Sequence, residues 1–172
     1  MRRAAAALSL VAVVAALAAG CAGLGLGDEA KVIPPEQRHP APAFTVPDLD
    51  GAGEVSLADY RGTPVVLNFW ASWCDPCQQE TPALVAFSKE RRDVQVVGLA
   101  VNDRGPKSRA FARKYGVDYP LGVDGDGDTI AKYGANGLPV TVFIDADGRI
   151  AQTSFGALTQ RQFEGYADKI GA

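Results

Sequence analysis

The 172-residue chain has few of the residues that usually hold metal ions: it contains one histidine, His39, and three cysteines. Two of the cysteines, Cys74 and Cys77, form a C-x-x-C pair, which can supply half of a structural zinc site. A structural zinc ion needs about four ligands, and no second pair of cysteines or histidines exists to complete the set. We therefore predict no metal site and no cofactor other than these two sulfurs.

The chain also lacks an excess of positive charge, since 17 lysines and arginines face 20 aspartates and glutamates, with a net charge of −3 at pH 7. Nucleic acid is therefore not an expected partner. The segment DGDGDTIAKYGA, residues 124–135, begins like a calcium loop, but its twelfth position is Ala135, where a glutamate is required. We interpret it as a turn into a short helix with Asp128 as the candidate N-cap.

Long apolar runs are absent except at the N-terminus, where Arg2 and Arg3 precede a run from residue 4 to residue 19. This is a signal-peptide layout, and the run is shorter than the roughly 20 residues that span a bilayer. It ends in LAAGC, which resembles the lipobox of bacterial lipoproteins, although Leu17 lies four residues before Cys21 instead of three. We predict a signal peptide over 1–20 and lipid anchoring through Cys21, with ordinary secretion as the alternative.

The chain after Cys21 divides into two regions. Residues 21–42 are rich in glycine and proline without strand or helix periodicity, which predicts a flexible tether. Residues 43–172 have the patterning of one globular domain. It begins with a β-hairpin over residues 43–57, where apolar and polar residues alternate around a glycine-rich turn.

Strands and helices alternate in the rest of the domain, which indicates an α/β fold. Apolar runs at 63–71 and 94–101 predict buried strands around a helix at 75–91, a βαβ unit. Further predicted elements are a helix at 106–115, a strand at 119–124, a short helix at 128–133, strands at 139–145 and 148–154, and a helix at 159–170. The Asp-Gly turn of DADG joins the last two strands as an antiparallel hairpin, so the sheet is mixed.

The position of the cysteine pair favours redox chemistry over a structural staple. A disulfide that closes so short a loop removes little entropy from the unfolded chain. Cys74 lies where the buried strand ends and the helix begins, so unpaired N–H groups and the helix dipole favour its thiolate. Cys77, about one turn further, would be shielded and able to resolve a mixed disulfide. Pro76 in the first helical turn costs no hydrogen bond.

Three segments, VVLNFWASWCDPCQQETPAL, GLPVTVFIDADGRI and GALTQRQFEGYADKIG, resemble the membrane-tethered thioredoxin-like proteins of the TlpA/ResA/CcmG group. The resemblance spans residues 43–171. It implies a thioredoxin fold, with a mixed sheet flanked by helices, an N-terminal hairpin and a central insertion at about 103–133. It also implies thiol–disulfide oxidoreductase activity outside the cytoplasm.

The resemblance assigns roles to individual residues. Cys74 matches the exposed nucleophile of the family and Cys77 its resolving cysteine. Pro139 matches the cis-proline beside the dithiol, and the backbone of Leu138 would offer hydrogen bonds to a substrate peptide. Trp73 is expected to contact substrate, whereas its neighbour Trp70 fits the core better.

Acidic residues near the cysteines favour the disulfide. Glu80 matches an acidic position of the tethered reductases and shares a helix face with Cys77, where it could raise a cysteine pKa or relay a proton. A solvated glutamate is the alternative. Asn68 replaces the buried aspartate of cytosolic thioredoxins, which puts more weight on Glu80. Asp75 places a negative charge beside the sulfurs, which disfavours the thiolate.

These signs favour a reductant of disulfides in client proteins, with apocytochrome c as the client that the resemblance implies and a membrane protein as its electron donor. The alternative is an oxidant that forms disulfides in secreted proteins, since that compartment is oxidising. A third possibility is a Cu(I) carrier that uses both sulfurs. Such carriers of this fold have a wider cysteine spacing and a histidine in the domain body, and a peroxidase has a different local motif.

Overall fold

The computed structural model describes residues 31–51, 53–103 and 105–171. The predicted signal peptide and Cys21 lie outside these ranges. Within these ranges the strands are β1 His39–Pro40, β2 Thr45–Pro47, β3 Glu54–Ser56, β4 Val65–Trp70, β5 Gln95–Val101, β6 Leu121–Asp124, β7 Val140–Ile144 and β8 Arg149–Phe155. The α-helices of the same ranges are α1 Asp75–Glu90, α2 Gly105–Tyr115, α3 Asp128–Lys132 and α4 Gln160–Ala167.

Six strands form one mixed sheet in the order β1-β8-β7-β4-β5-β6. Strand β4 runs parallel to β5 and antiparallel to β7, and all six of its residues are buried. Because β4 lies in the middle of the sheet and is covered on both faces, its sequence is almost continuously apolar. The predicted mixed α/β sheet is confirmed.

Helices α1 and α4 and the hairpin cover opposite faces of the sheet. On one face, α1 and α4 pack together through Leu84, Phe87 and Phe163. On the other face, Val46 and Val55 of the β2–β3 hairpin pack with the core of the sheet. The predicted N-terminal hairpin is therefore present. No helix in the part of the chain that the structure describes is long and apolar enough to cross a membrane.

The prediction that the flexible tether extends to residue 42 is wrong for its last ten residues. The Ile33 amide donates to Ala151 of β8 at 2.7 Å, and β1 pairs with the beginning of β8. Arg38 is buried and forms an ion pair with Asp145 at 3.0 Å. Its guanidinium also donates to the carbonyls of Ile33 and Lys169. A buried arginine needs such partners, which come from distant parts of the chain and leave no periodic pattern.

The start of α3 also differs from the prediction. Gly127, with φ of 78°, is the N-cap, and Asp128 is the first helical residue. The buried carboxylate of Asp124 accepts the free amides of Thr129 and Ile130 at 3.0 and 2.9 Å. Asp124 therefore does the capping that we assigned to Asp128, because its side chain reaches the helix from the end of β6.

Candidate active site

Cys74 and Cys77 form a disulfide at the junction between β4 and α1. Cys74 is the N-cap of α1, and its Sγ accepts the Cys77 amide at 3.2 Å. Both cysteines are more buried than the predicted roles imply, with Cys74 5% exposed and Cys77 1% exposed. The difference in exposed surface between the two cysteine residues is therefore small.

A groove of about 630 Å³ distinguishes the two cysteines. Cys74 lines it, together with Trp73, Asp75, Pro76 and Leu138, whereas Cys77 does not. The side chain of Trp73 is 59% exposed, so it forms an open wall beside Cys74. The groove therefore leads to Cys74 and not to Cys77.

The loop before β7 completes the other side of the groove. The Leu138–Pro139 peptide bond is cis, and Leu138 packs against the cluster that contains both cysteines. Trp70, by contrast, is buried and stacks on Phe111 with 4.6 Å between ring centroids. The structure therefore places Trp73 and Leu138 in the groove and Trp70 in the core.

Glu80 is buried on α1, three residues after Cys77, with 2% of its surface exposed. Its carboxylate accepts the Asn68 side-chain amide at 3.1 Å and the Leu158 backbone amide at 2.9 Å. Burial raises the pKa of Glu80 to about 7, because it disfavours the charged form more than the two hydrogen bonds favour it. The alternative of a solvated glutamate is wrong, because the side chain is buried.

The family model described as the AhpC/TSA family matches residues 38–153. The chain belongs to this family. It is 34% identical over 132 residues to the thiol-disulfide oxidoreductase ResA of Bacillus thuringiensis, an alignment that covers 76% of each chain. Together with the Cys74–Cys77 disulfide, this relationship makes the protein a thiol-disulfide oxidoreductase.

Solved structures confirm the thioredoxin fold of this AhpC/TSA member. A thiol:disulfide interchange protein from Chlorobium tepidum has a TM-score of 0.72 and 27% identity, covering 79% of this chain and 98% of its own. A secreted disulfide oxidoreductase of Mycobacterium tuberculosis has a TM-score of 0.67 and 29% identity, covering 73% and 95% respectively.

The sequence did not predict the residues that hold the loop between β4 and α1, which carries Ser72 and Trp73 in this oxidoreductase. Asp103 follows β5, and its carboxylate accepts the Ser72 amide at 2.6 Å and the Ser72 hydroxyl at 3.0 Å. The Trp73 indole donates to the Asn102 carbonyl at 3.4 Å. Asn102 has a positive φ of 47°, which is uncommon for a residue other than glycine. We call these four residues the Ser72–Asp103 clamp.

The other residues that sequence reasoning missed are Thr141 and Leu158. Thr141 of β7 accepts a second hydrogen bond from the Asn68 amide at 3.0 Å, and Leu158 supplies the backbone amide to Glu80. No local pattern marks either residue. The one available signal was an aspartate close to the end of a buried strand, here Asp103, because strand ends often carry functional groups.

We expect Asp103→Asn to raise the KM for a peptide disulfide about threefold to tenfold, because Trp73 loses its fixed position beside the groove. The double variant with Trp73→Ala should show no further increase, since both changes remove the same wall. Steady-state kinetics of the wild type, the single variants Asp103→Asn and Trp73→Ala, and the double variant measures the coupling between the two residues. Asp147→Asn, an exposed aspartate in the β7–β8 turn, is the matched control. Fully additive effects, or a lowered melting temperature with unchanged KM, would show that the clamp only supports the fold.

Proposed function

We propose that the protein is an extracytoplasmic reductant of disulfides in client proteins, with apocytochrome c before haem attachment as the expected client. The observation that carries this proposal is the buried carboxylate of Glu80, three residues after Cys77 on α1. A second carboxylate, Asp75, directly follows Cys74 in the first turn of α1. Two carboxylates near the sulfurs disfavour the thiolates and so favour the disulfide, which makes the reduced protein a better electron donor.

The proposed reaction begins with the reduced protein. Cys74 first releases its proton to solvent, and its thiolate attacks one sulfur of a client disulfide; that S–S bond breaks, and the second client sulfur leaves as a thiolate and takes a proton from solvent. Cys77 then loses its proton and attacks Cys74 Sγ, which releases the first client sulfur as a thiolate that is protonated in turn. Two electrons and two protons pass to the client, and the protein is left with the Cys74–Cys77 disulfide.

Glu80 is the proposed acceptor of the Cys77 proton. Both residues lie on the buried face of α1, three positions apart. With a pKa of about 7, the carboxylate is partly ionised at neutral pH and can both accept and return a proton. Asn68 and the Leu158 amide hold it in place while its charge changes.

The proposed setting is the outer face of a bacterial membrane. Lipidation of Cys21 would anchor the domain there, and a membrane protein would return electrons to the disulfide after each turnover. The secreted relative from Mycobacterium tuberculosis supports a site outside the cytoplasm. The chain between Cys21 and Ile33 would then link the lipid to the domain, since Ile33 already contacts β8.

An oxidant is the alternative, and one observation favours it. Cys74 Sγ accepts the Cys77 amide at the N-terminus of α1, and this position stabilises a Cys74 thiolate. A stabilised thiolate favours the reduced form and therefore makes the disulfide a stronger electron acceptor.

Glu80→Gln tests the proton transfer. Below pH 7 Glu80 is mostly protonated and cannot accept a proton, so the wild-type rate constant for resolving a mixed disulfide should rise with pH through about 7. The variant should lose this inflection and be about 100-fold slower at pH 7. Rapid-quench measurement of a single turnover from pH 5 to pH 9 gives both profiles. The exposed Glu54→Gln serves as control, and an inflection shared by all three proteins would exclude Glu80 as the acceptor.

The assignment of the nucleophile is tested by trapping. Cys77→Ser removes the resolving sulfur, so a client should remain bound to Cys74 as a mixed disulfide. Cys74→Ser leaves only the sulfur behind the groove and should trap about tenfold less client. Non-reducing gels followed by mass spectrometry of the linked peptides measure both. More client on Cys77 than on Cys74 would reverse the assignment.

The reduction potential separates the two directions of electron flow. We expect a value below about −230 mV for a reductant, and a value above about −180 mV would identify an oxidant. Asp75→Asn should raise the potential by about 15–30 mV, because it removes a charge that disfavours the thiolate. Equilibration with dithiol buffers measures both proteins.

A further inference from the structure

The groove beside Cys74 is acidic. Among its lining residues, Asp75 and Asp126 are the charged side chains, and none of the lining residues is basic. The remaining walls are largely apolar, with Trp73, Ile130 and Leu138 among them. Neither aspartate belongs to an ion pair within the described ranges of the chain. The groove therefore presents two carboxylates with no cationic side chain among the residues that line it.

Asp126 is held in a defined position. Its carboxylate accepts the Asp128 amide at 3.2 Å, and the amide of Asn102 donates to the Asp124 carbonyl at 3.0 Å. Gly127, with φ of 78°, lies against the Asn102 side chain. A Cβ added to Gly127 would be 3.0 Å from the side-chain amide nitrogen of Asn102. The loop that carries Asp126 therefore packs against Asn102, the residue whose carbonyl accepts the hydrogen bond of the Trp73 indole.

We propose that this groove selects extended, disulfide-containing segments that carry lysine or arginine beside the cysteine. The inference rests on the proposed function, since it names the chemistry of the client for the same site. A cationic side chain would lie near Asp75 or Asp126, and its aliphatic part would cover the apolar walls. An acidic side chain beside the client's cysteine would be repelled by both carboxylates. Like-charge contacts of this kind select partners more than they add affinity.

Three peptides that differ only beside their disulfide test the proposal: one with lysine, one with glutamine and one with glutamate at the flanking positions. The reduced protein should reduce the lysine peptide about tenfold faster than the glutamate peptide, measured as kcat/KM at about 20 mM salt. At about 300 mM salt the ratio should fall to about twofold, because the carboxylates are partly exposed and screened by ions.

Asp126→Asn should lower the lysine-to-glutamate ratio about threefold at low salt, whereas Asp147→Asn, the same change in the distant β7–β8 turn, should leave it unchanged. Equal rates on the lysine and glutamate peptides, or equal ratios for the two variants, would overturn the proposal.

A second measurement keeps this result separate from the proposed function. The dissociation constants of the same peptides with serine in place of cysteine report charge selection without redox chemistry. If no peptide is reduced but the lysine form binds about tenfold more tightly, the direction of electron flow is wrong and the groove assignment stands. If all peptides are reduced alike and bind alike, the reductant stands and the charge selection fails.

Discussion

The buried side chain of Asn68 joins three elements, β4, α1 and β7, next to the helix that carries both cysteines. Its side-chain amide donates both to Glu80 of α1 and to Thr141 of β7, while its backbone belongs to the central strand β4. Burying a carboxylate without hydrogen-bond donors would cost free energy of folding. Glu80 can lie in the interior because the Asn68 side chain and the Leu158 amide donate hydrogen bonds to it. The same contacts fix the N-terminal turns of α1 against the sheet, and with them the cysteine at its N-cap.

The parts of the molecule that depend on local sequence were predictable. Apolar runs marked β4 and β5, and the C-x-x-C pair at a strand end marked the start of α1. The role of Pro139 came from the resemblance alone. The burial of Glu80 could not be derived, because its partners lie 12 and 78 residues away in the chain. Arg38 and the Ser72–Asp103 clamp were missed for the same reason, since each depends on contacts between distant segments.

Two opposing electrostatic effects meet at the cysteines. The N-terminus of α1 and the Cys77 amide stabilise a thiolate at Cys74, whereas Glu80 and Asp75 disfavour it. The balance between them sets how readily the pair gives up electrons. The carboxylates differ in kind: Asp75 is exposed and screened by solvent, while Glu80 is buried and carries a charge that depends on pH. This oxidoreductase therefore combines a carboxylate at the surface with an internal carboxylate whose charge changes near neutrality.

The position of Glu80 also affects the free energy of unfolding. In the unfolded chain its carboxyl group titrates near 4.5, whereas in the folded protein its pKa is about 7. Between these two values the folded state holds a proton that the unfolded state has released, so this group's contribution to stability is fully present below pH 4.5 and declines as the pH rises to 7. A shift of this size corresponds to about 3 kcal/mol. At pH values above about 7, where the Glu80 carboxylate is ionised and can accept a proton, the domain has lost this contribution to its free energy of unfolding.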